Sequence, residues 1–168
     1  MSYEDKTTDA TIEELLSEAA VSSNKRKRIG KISWFSKKVT APNVTAKQIV
    51  ALQNNELANG RYLVLDVRSV TESDVSVLPG AIAIAEFERT VDQHQSKTII
   101  TYCTIGVRSG WYANRLKTHG WNAYNYKGSI IDWCKNGLPL VTPQGEATNR
   151  VHTYNRMYSV PAQYEAVP

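Results

Sequence analysis

Cysteine is scarce in this chain, with only Cys103 and Cys134 among 168 residues. Two thiols cannot form the disulfide framework that staples a small secreted domain. No run of about 18 apolar residues is present, so no membrane span is expected. Internal repeats and low-complexity tracts are absent as well. The first residues carry Glu4, Asp5, Asp9, Glu13 and Glu14 without an apolar core segment, unlike a secretory signal or an arginine-rich, acid-poor presequence. A cytoplasmic location is therefore the expectation. His152 has no second ligand at a useful spacing, and neither a metal nor a cofactor is expected. What remains is 42% hydrophobic residues and a net charge of +4, enough for one domain with a proper core and extra chain at each end.

The ends differ from the middle. Thr11 to Ala20 places Ile12, Leu15, Leu16 and Ala19 at helical spacing with acids opposite, and Thr11 with Glu14 matches a capping box. So narrow a stripe must dock on the domain or on a partner. Lys25-Arg26-Lys27-Arg28, Lys31, Lys37 and Lys38 make half of residues 25 to 38 basic. A solvated linker pinned by Ile32, Trp34 and Phe35 is the preferred reading. Nucleic-acid contact, nuclear localisation or a membrane-surface patch are the alternatives. Residues 142 to 168, with Pro143, Pro161, Tyr154, Tyr158 and Tyr164, read as a tail partly packed on the domain. The expected division is 1–43, 44–142 and 143–168.

Between the ends, strand and helix alternate. Thr45 caps a helix running to about Leu57, and Arg61 to Asp66 form a buried strand. A short strand at Ala81 to Ile84 and a helix around Glu86 to Gln93 follow. A strand at 98 to 102, a helix at Ser109 to Thr118 stopped by Gly120, a strand at Ala123 to Tyr126 and a helix at Ile130 to Lys135 complete the series. This implies an α/β fold in three layers, a mainly parallel sheet with helices on both faces and ligands at the carboxyl ends of the strands.

Cys103 sits at such an end, between the apolar run Thr98-Ile99-Ile100-Thr101-Tyr102 and a helix start. The backbone N–H groups of Thr104, Ile105, Gly106, Val107, Arg108 and Ser109 then surround one point, backed by the positive end of a helix dipole. That cradle favours an anion and should favour the thiolate of Cys103 over its thiol. Cys103 is the candidate nucleophile, with residues 104 to 109 as the substrate-holding set. A buried strand-end cysteine acting as a small hydrophobe is the alternative. Arg108 turns either inward to the anion or outward to Asp66 or Glu72.

Three ordered stretches extend this reading: Leu65-Asp66-Val67-Arg68 with Glu72; Leu78-Pro79-Gly80-Ala81-Ile82; and Tyr102 to Ser109 followed by Tyr126-Lys127-Gly128-Ser129-Ile130-Ile131-Asp132-Trp133. Together they resemble a single-domain rhodanese over about residues 44 to 142. The resemblance implies a sulfurtransferase in which Cys103 takes a sulfane sulfur from a small anionic donor, holds it as a persulfide and passes it to a thiol or cyanide-like acceptor. It also gives Asp66, Arg68 and Glu72 a supporting role, with Asp66 capping N–H groups beyond its strand and Arg68 paired with Glu72. Thr104 and Ile105 lack the basic side chain that many thiosulfate-using members place in the loop, and Val77 stands where a histidine often precedes the Leu-Pro-Gly-Ala turn. Thiosulfate is therefore expected to be a poor donor beside glutathione persulfide or a protein donor.

Two other functions stand beside this one. Phosphatase or arsenate-reductase-type chemistry is one: the cell-cycle dual-specificity phosphatases of similar architecture have one residue more between cysteine and arginine, and the shorter loop here should ring a phosphoryl group less well. A non-catalytic interaction module would bind a protein partner through the N-terminal helix or C-terminal tail. Nucleic acid is not favoured as a partner. Cys134, beside Trp133, is expected to have a packing or exposed bystander role, a resolving role requiring that it lie close to Cys103.

Overall fold

A computed structural model describes Leu15 and residues 39 to 168. Apart from Leu15, the helix expected over 11 to 20 and the basic segment 25 to 38 lie outside the described residues. Five parallel strands form the central sheet: β1 (Asn43–Val44), β2 (Tyr62–Asp66), β3 (Ile82–Ala83), β4 (Thr98–Tyr102) and β5 (Ala123–Tyr126). Their spatial order is β1-β5-β4-β2-β3. The helices between them are α1 (Ala46–Gln53), α2 (Val70–Ser73), α3 (Ile84–Arg89), α4 (Val107–Thr118) and α5 (Ser129–Lys135).

Side chains of a strand alternate between faces, and this alternation sorts the interior into two cores. Val64, Ile100, Tyr102, Tyr124 and Tyr126 join Ile49 and Leu52 of α1 and Ile130 and Trp133 of α5 on one face. Leu63, Leu65, Ile99 and Ala123 meet Phe87 of α3 and Leu116 of α4 on the other. The expected three layers are observed, since every central strand is covered on both sides.

Element ends shift by a few residues. The Thr45 capping box is present, with Gln48 bonding back to the Thr45 N–H at 2.8 Å. However, α1 stops at Gln53 instead of running to Leu57, and a 3-10 turn covers Glu56–Ala58. Asn54 and Asn55 favour local bonding over helix continuation, and Asn55 bonds only three residues back, to the Leu52 carbonyl. The helix expected around Glu86 begins earlier, at Ile84, and gives way to a 3-10 turn at Val91–His94.

Beyond the sheet, β6 (Leu140–Val141) pairs antiparallel with β7 (Ala147–Thr148), and β8 (Arg150–His152) pairs parallel with β9 (Glu165–Val167). The tail packs as expected: Val151 is fully buried in the first core, and the Tyr164 hydroxyl donates to the Leu138 carbonyl at 2.7 Å. The segment joining β8 to β9 runs past the carboxyl end of the sheet. Leu15 is buried in the same core, and its carbonyl accepts the Thr98 hydroxyl at 2.5 Å. Docking of the N-terminal segment on the domain is thus seen at this residue.

Because Leu15 has no exposed surface, its truncation leaves a cavity. Leu15→Ala should cost about 2–5 kcal/mol, read as a lower urea midpoint at unchanged slope; a loss under about 0.5 kcal/mol would show that the segment adds nothing to the fold.

Candidate active site

Three loops leave the carboxyl ends of β2, β4 and β5 side by side, carrying Asp66 to Glu72, Cys103 to Ser109, and Lys127 to Ser129. The Cys103 loop is the tightest of them. Gly106 adopts φ +89°, open to glycine at little cost, and a Cβ there would lie 2.0 Å from the Lys127 carbonyl oxygen. The loop closes this far only because position 106 has no side chain.

That closure aims the backbone at sulfur. The Gly106 N–H donates to Cys103 Sγ at 3.1 Å. The Ser109 hydroxyl lies 3.5 Å from Sγ and 2.7 Å from Asn125 Oδ1; with one proton it serves one acceptor at a time, and the shorter bond is to Asn125. Burial pushes the Cys103 thiol up, but the Ser109 hydroxyl, when its proton turns from Asn125 to sulfur, and the N–H groups of Ser109, Ile105 and Gly106 outweigh it and hold the thiol below its ordinary value. Cys103 is only 1% exposed, yet it lines a cavity of about 240 Å³ together with Thr104, Ile105, Val107, Arg108, Tyr154 and Tyr158.

The expected supporting residues are in place with different partners. Asp66 does cap beyond its strand, accepting the Arg68 N–H at 2.9 Å. The Arg68–Glu72 pair does not form. Arg68 folds back on Asp66, with Nη2 to Oδ2 at 2.6 Å and both side chains at most 1% exposed, because the two groups leave the same strand end two residues apart. Tyr102 donates its hydroxyl to the same carboxylate at 2.6 Å. Glu72 is then left for Arg108, which it holds through two bonds of 2.7 Å, and for the Thr104 hydroxyl at 3.0 Å. Arg108 has thus taken the outward of its two expected orientations. Burial alone would raise the Glu72 carboxyl, but Arg108 and the capping bonds from Ser69 bring it down to about 2.

Of residues 104 to 109, Gly106 and Ser109 face the sulfur, Ile105 and Val107 face the cavity with 37% and 50% exposure, and the Thr104 hydroxyl belongs to the ion-pair network. Sequence reasoning missed Ser129, which accepts the Cys103 N–H at 3.0 Å, donates to the Tyr126 carbonyl at 2.9 Å and sits at φ +54°. Such a conformation is strained for a non-glycine residue and characteristic of functional sites; the Gly128-Ser129 step beside a helix start was the available signal. Asn125, Tyr154 and Tyr158 were also missed, and for the two tyrosines only their aromatic character in the tail pointed to them. Cys134 is packed, fully buried, in the first core, and burial pushes its thiol up to about 12. Among the described residues no cluster of metal-ligating side chains occurs.

A five-stranded parallel sheet with a helix-capping cysteine loop at the carboxyl end of its central strand defines a class of thiolate-bearing α/β domains. Within that class, residues 48 to 136 match the model of the rhodanese-like domain, and the chain belongs to that family. It is 29% identical over 87 residues to a sulfurtransferase of Allochromatium vinosum, an alignment covering 49% of this chain and 81% of that protein. A rhodanese-related protein of Thermoplasma volcanium shares the fold at TM-score 0.50 and 24% identity, over 59% of this chain and 96% of that one. So does a Rhodopseudomonas palustris protein of unknown function described as a possible tyrosine phosphatase, at TM-score 0.51 and 19% identity over 78% and 94% of the chains.

Two outcomes follow from the electrostatics. Alkylation of Cys103 by iodoacetamide should titrate with a midpoint below the roughly 8.5 of a free cysteine, and Ser109→Ala should move it upward; a native midpoint at or above the free value contradicts the cradle. Glu72 titrates lower folded than unfolded, so its contribution is present above the unfolded value and lost as pH falls toward about 2. In acid titrations of stability between pH 5 and 2, Glu72→Gln should flatten the decline.

Proposed function

We propose that the protein is a sulfurtransferase that carries sulfane sulfur as a persulfide on Cys103. The observation that carries this reading is the Cys103 sulfur at the end of a cavity, bonded by Gly106 N–H at 3.1 Å in a loop with four residues between cysteine and arginine. The Cys103 thiolate attacks the outer sulfur of the donor, a new S–S bond forms, and the donor's own bond to that sulfur breaks. Sulfite leaves when the donor is thiosulfate, and a thiolate leaves when it is a persulfide. A thiolate or cyanide then attacks the outer sulfur and frees Cys103, so the cycle needs no external oxidant or reductant. Splitting one transfer into two nucleophilic steps is the usual gain of covalent catalysis.

The same donors that lower the thiol would stabilise the terminal sulfur of the persulfide, since they are fixed before charge arrives there. Ser129 and Asn125 act as positioning residues, the first through the Cys103 backbone and the second through Ser109. Phosphoryl transfer is disfavoured by the short loop and by Arg108, whose guanidinium is turned to Glu72 and Thr104. The sulfurtransferase of Allochromatium vinosum supports the sulfur reading. The setting we assign is the reducing cytoplasm, where thiol acceptors persist.

Incubating the full chain with thiosulfate or glutathione persulfide and weighing it intact should show a gain of about 32 Da, one sulfur atom, located at Cys103. Cys103→Ser should gain nothing. Release of phosphate from an aryl phosphate by a chain that takes up no sulfur from either donor would refute the proposal.

A further inference from the structure

The cavity over Cys103 is closed on one side by chain outside the matched domain. Tyr154 and Tyr158, in the segment between β8 and β9, share its lining with Ile105 and Val107. Tyr154 is held there by its own backbone: it adopts φ +70°, and its N–H donates to His152 Nδ1 at 3.0 Å. The neighbouring Thr153 N–H joins the Val167 carbonyl at 2.8 Å. The ring lies 5.2 Å from the Arg108 guanidinium, within cation–π range.

Among the described residues Arg108 is the one cationic side chain in the lining, and most of its charge is met by Glu72. Glu72 takes two of its N–H groups at 2.7 Å and Thr104 a third contact at 2.9 Å, while Tyr154 covers a face. A dianion entering this cavity would give up water and meet, among the described residues, a cation already paired with Glu72, which is costly. A donor with one charge on its reacting sulfur meets the N–H cradle with that charge and two tyrosines and two aliphatic side chains with the rest of its body. The volume of about 240 Å³ lies below the roughly 300–1,000 Å³ of ordinary ligand sites, so that body is about one ring in size.

We propose that Tyr154 and Tyr158 are specificity-determining residues that select a monoanionic sulfur donor with a compact apolar body. This rests on the sulfur-transfer reading of Cys103. For such a donor, an organic thiosulfonate, the Cys103 thiolate bonds to the terminal sulfur, the sulfur–sulfonyl bond breaks, and a sulfinate leaves with the electron pair.

Benzenethiosulfonate and methanethiosulfonate make a matched pair of probes, alike in charge and reacting group and different in apolar body. With cyanide as acceptor and thiocyanate as the readout, the full chain should favour the benzene compound about tenfold in kcat/KM, or about 1.4 kcal/mol. Tyr154→Ala combined with Tyr158→Ala should bring the ratio to about twofold or less, and phenylalanine at both positions should restore it. A native ratio near one, or a ratio untouched by the double alanine variant, overturns the selection while a persulfide on Cys103 keeps the sulfur-transfer reading intact. Absence of a Cys103 persulfide from every donor overturns both. Because Tyr154 is 59% exposed and Tyr158 is outside both cores, the alanine variant should fold, and the native ratio alone decides against the proposal if it does not.

Discussion

The close approach of Gly106 to the Lys127 carbonyl is the contact on which the geometry of the site depends. With a projected Cβ only 2.0 Å from that oxygen and φ at +89°, no side chain fits without moving one loop from the other. The consequences run in both directions along the chain. Ahead of it, the four-residue interval lets the Gly106 N–H reach back to Cys103 Sγ and lets α4 begin at Val107. Behind it, Asn125 Nδ2 reaches the Gly106 carbonyl at 3.3 Å while its oxygen takes the Ser109 hydroxyl. Strand β5, the glycine and the first turn of α4 are thereby tied into one rigid surround for a single sulfur atom.

Two acid–arginine pairs frame that surround and have different work. Asp66 and Arg68 are sealed from water, where desolvation roughly cancels the attraction between charges. Their contribution is geometric: the carboxylate also binds the Tyr102 hydroxyl, so the ends of β2 and β4 are held together one residue before Cys103. Glu72 and Arg108 lie nearer the surface, with the arginine side chain 34% exposed. Through the Thr104 hydroxyl this pair fastens the loop to α2, while the Arg108 charge also acts on the Cys103 sulfur.

The fold was legible because burial on two faces leaves a plain mark. Short charge-free runs rich in β-branched and aromatic residues, such as Thr98 to Tyr102, point to strands covered on both sides, and the positions of β4 and β5 follow from them. The loop was legible too, since a cysteine, a glycine and a helix start within six residues allow few backbone paths. Side-chain partners were not. Arg68, Arg108, Asp66 and Glu72 admit more than one pairing at similar spacing, and only the direction in which each leaves its strand or helix decides among them. Ser129 was hidden for a related reason, because a positive φ favours glycine, asparagine or aspartate, and a serine held there by tertiary contacts shows itself only through the Gly128-Ser129 step. Tyr154 and Tyr158 lie about fifty residues from Cys103 in a segment without periodicity, which no local pattern could bring to the cavity.

That distance separates two functions within one site. The residues to which we assign the activation of sulfur, from Cys103 to Ser129, fall inside the matched span of 48 to 136, and their positions are set by the sheet. The tyrosines that complete the cavity are set by β8 and β9, which are anchored through Val151 in the core and the Tyr164 hydroxyl on Leu138. Chemistry and selectivity therefore rest on different supports. Changes in the tail can alter what enters the cavity without disturbing the bonds to sulfur, because no hydrogen bond to Cys103 comes from the tail among the described residues.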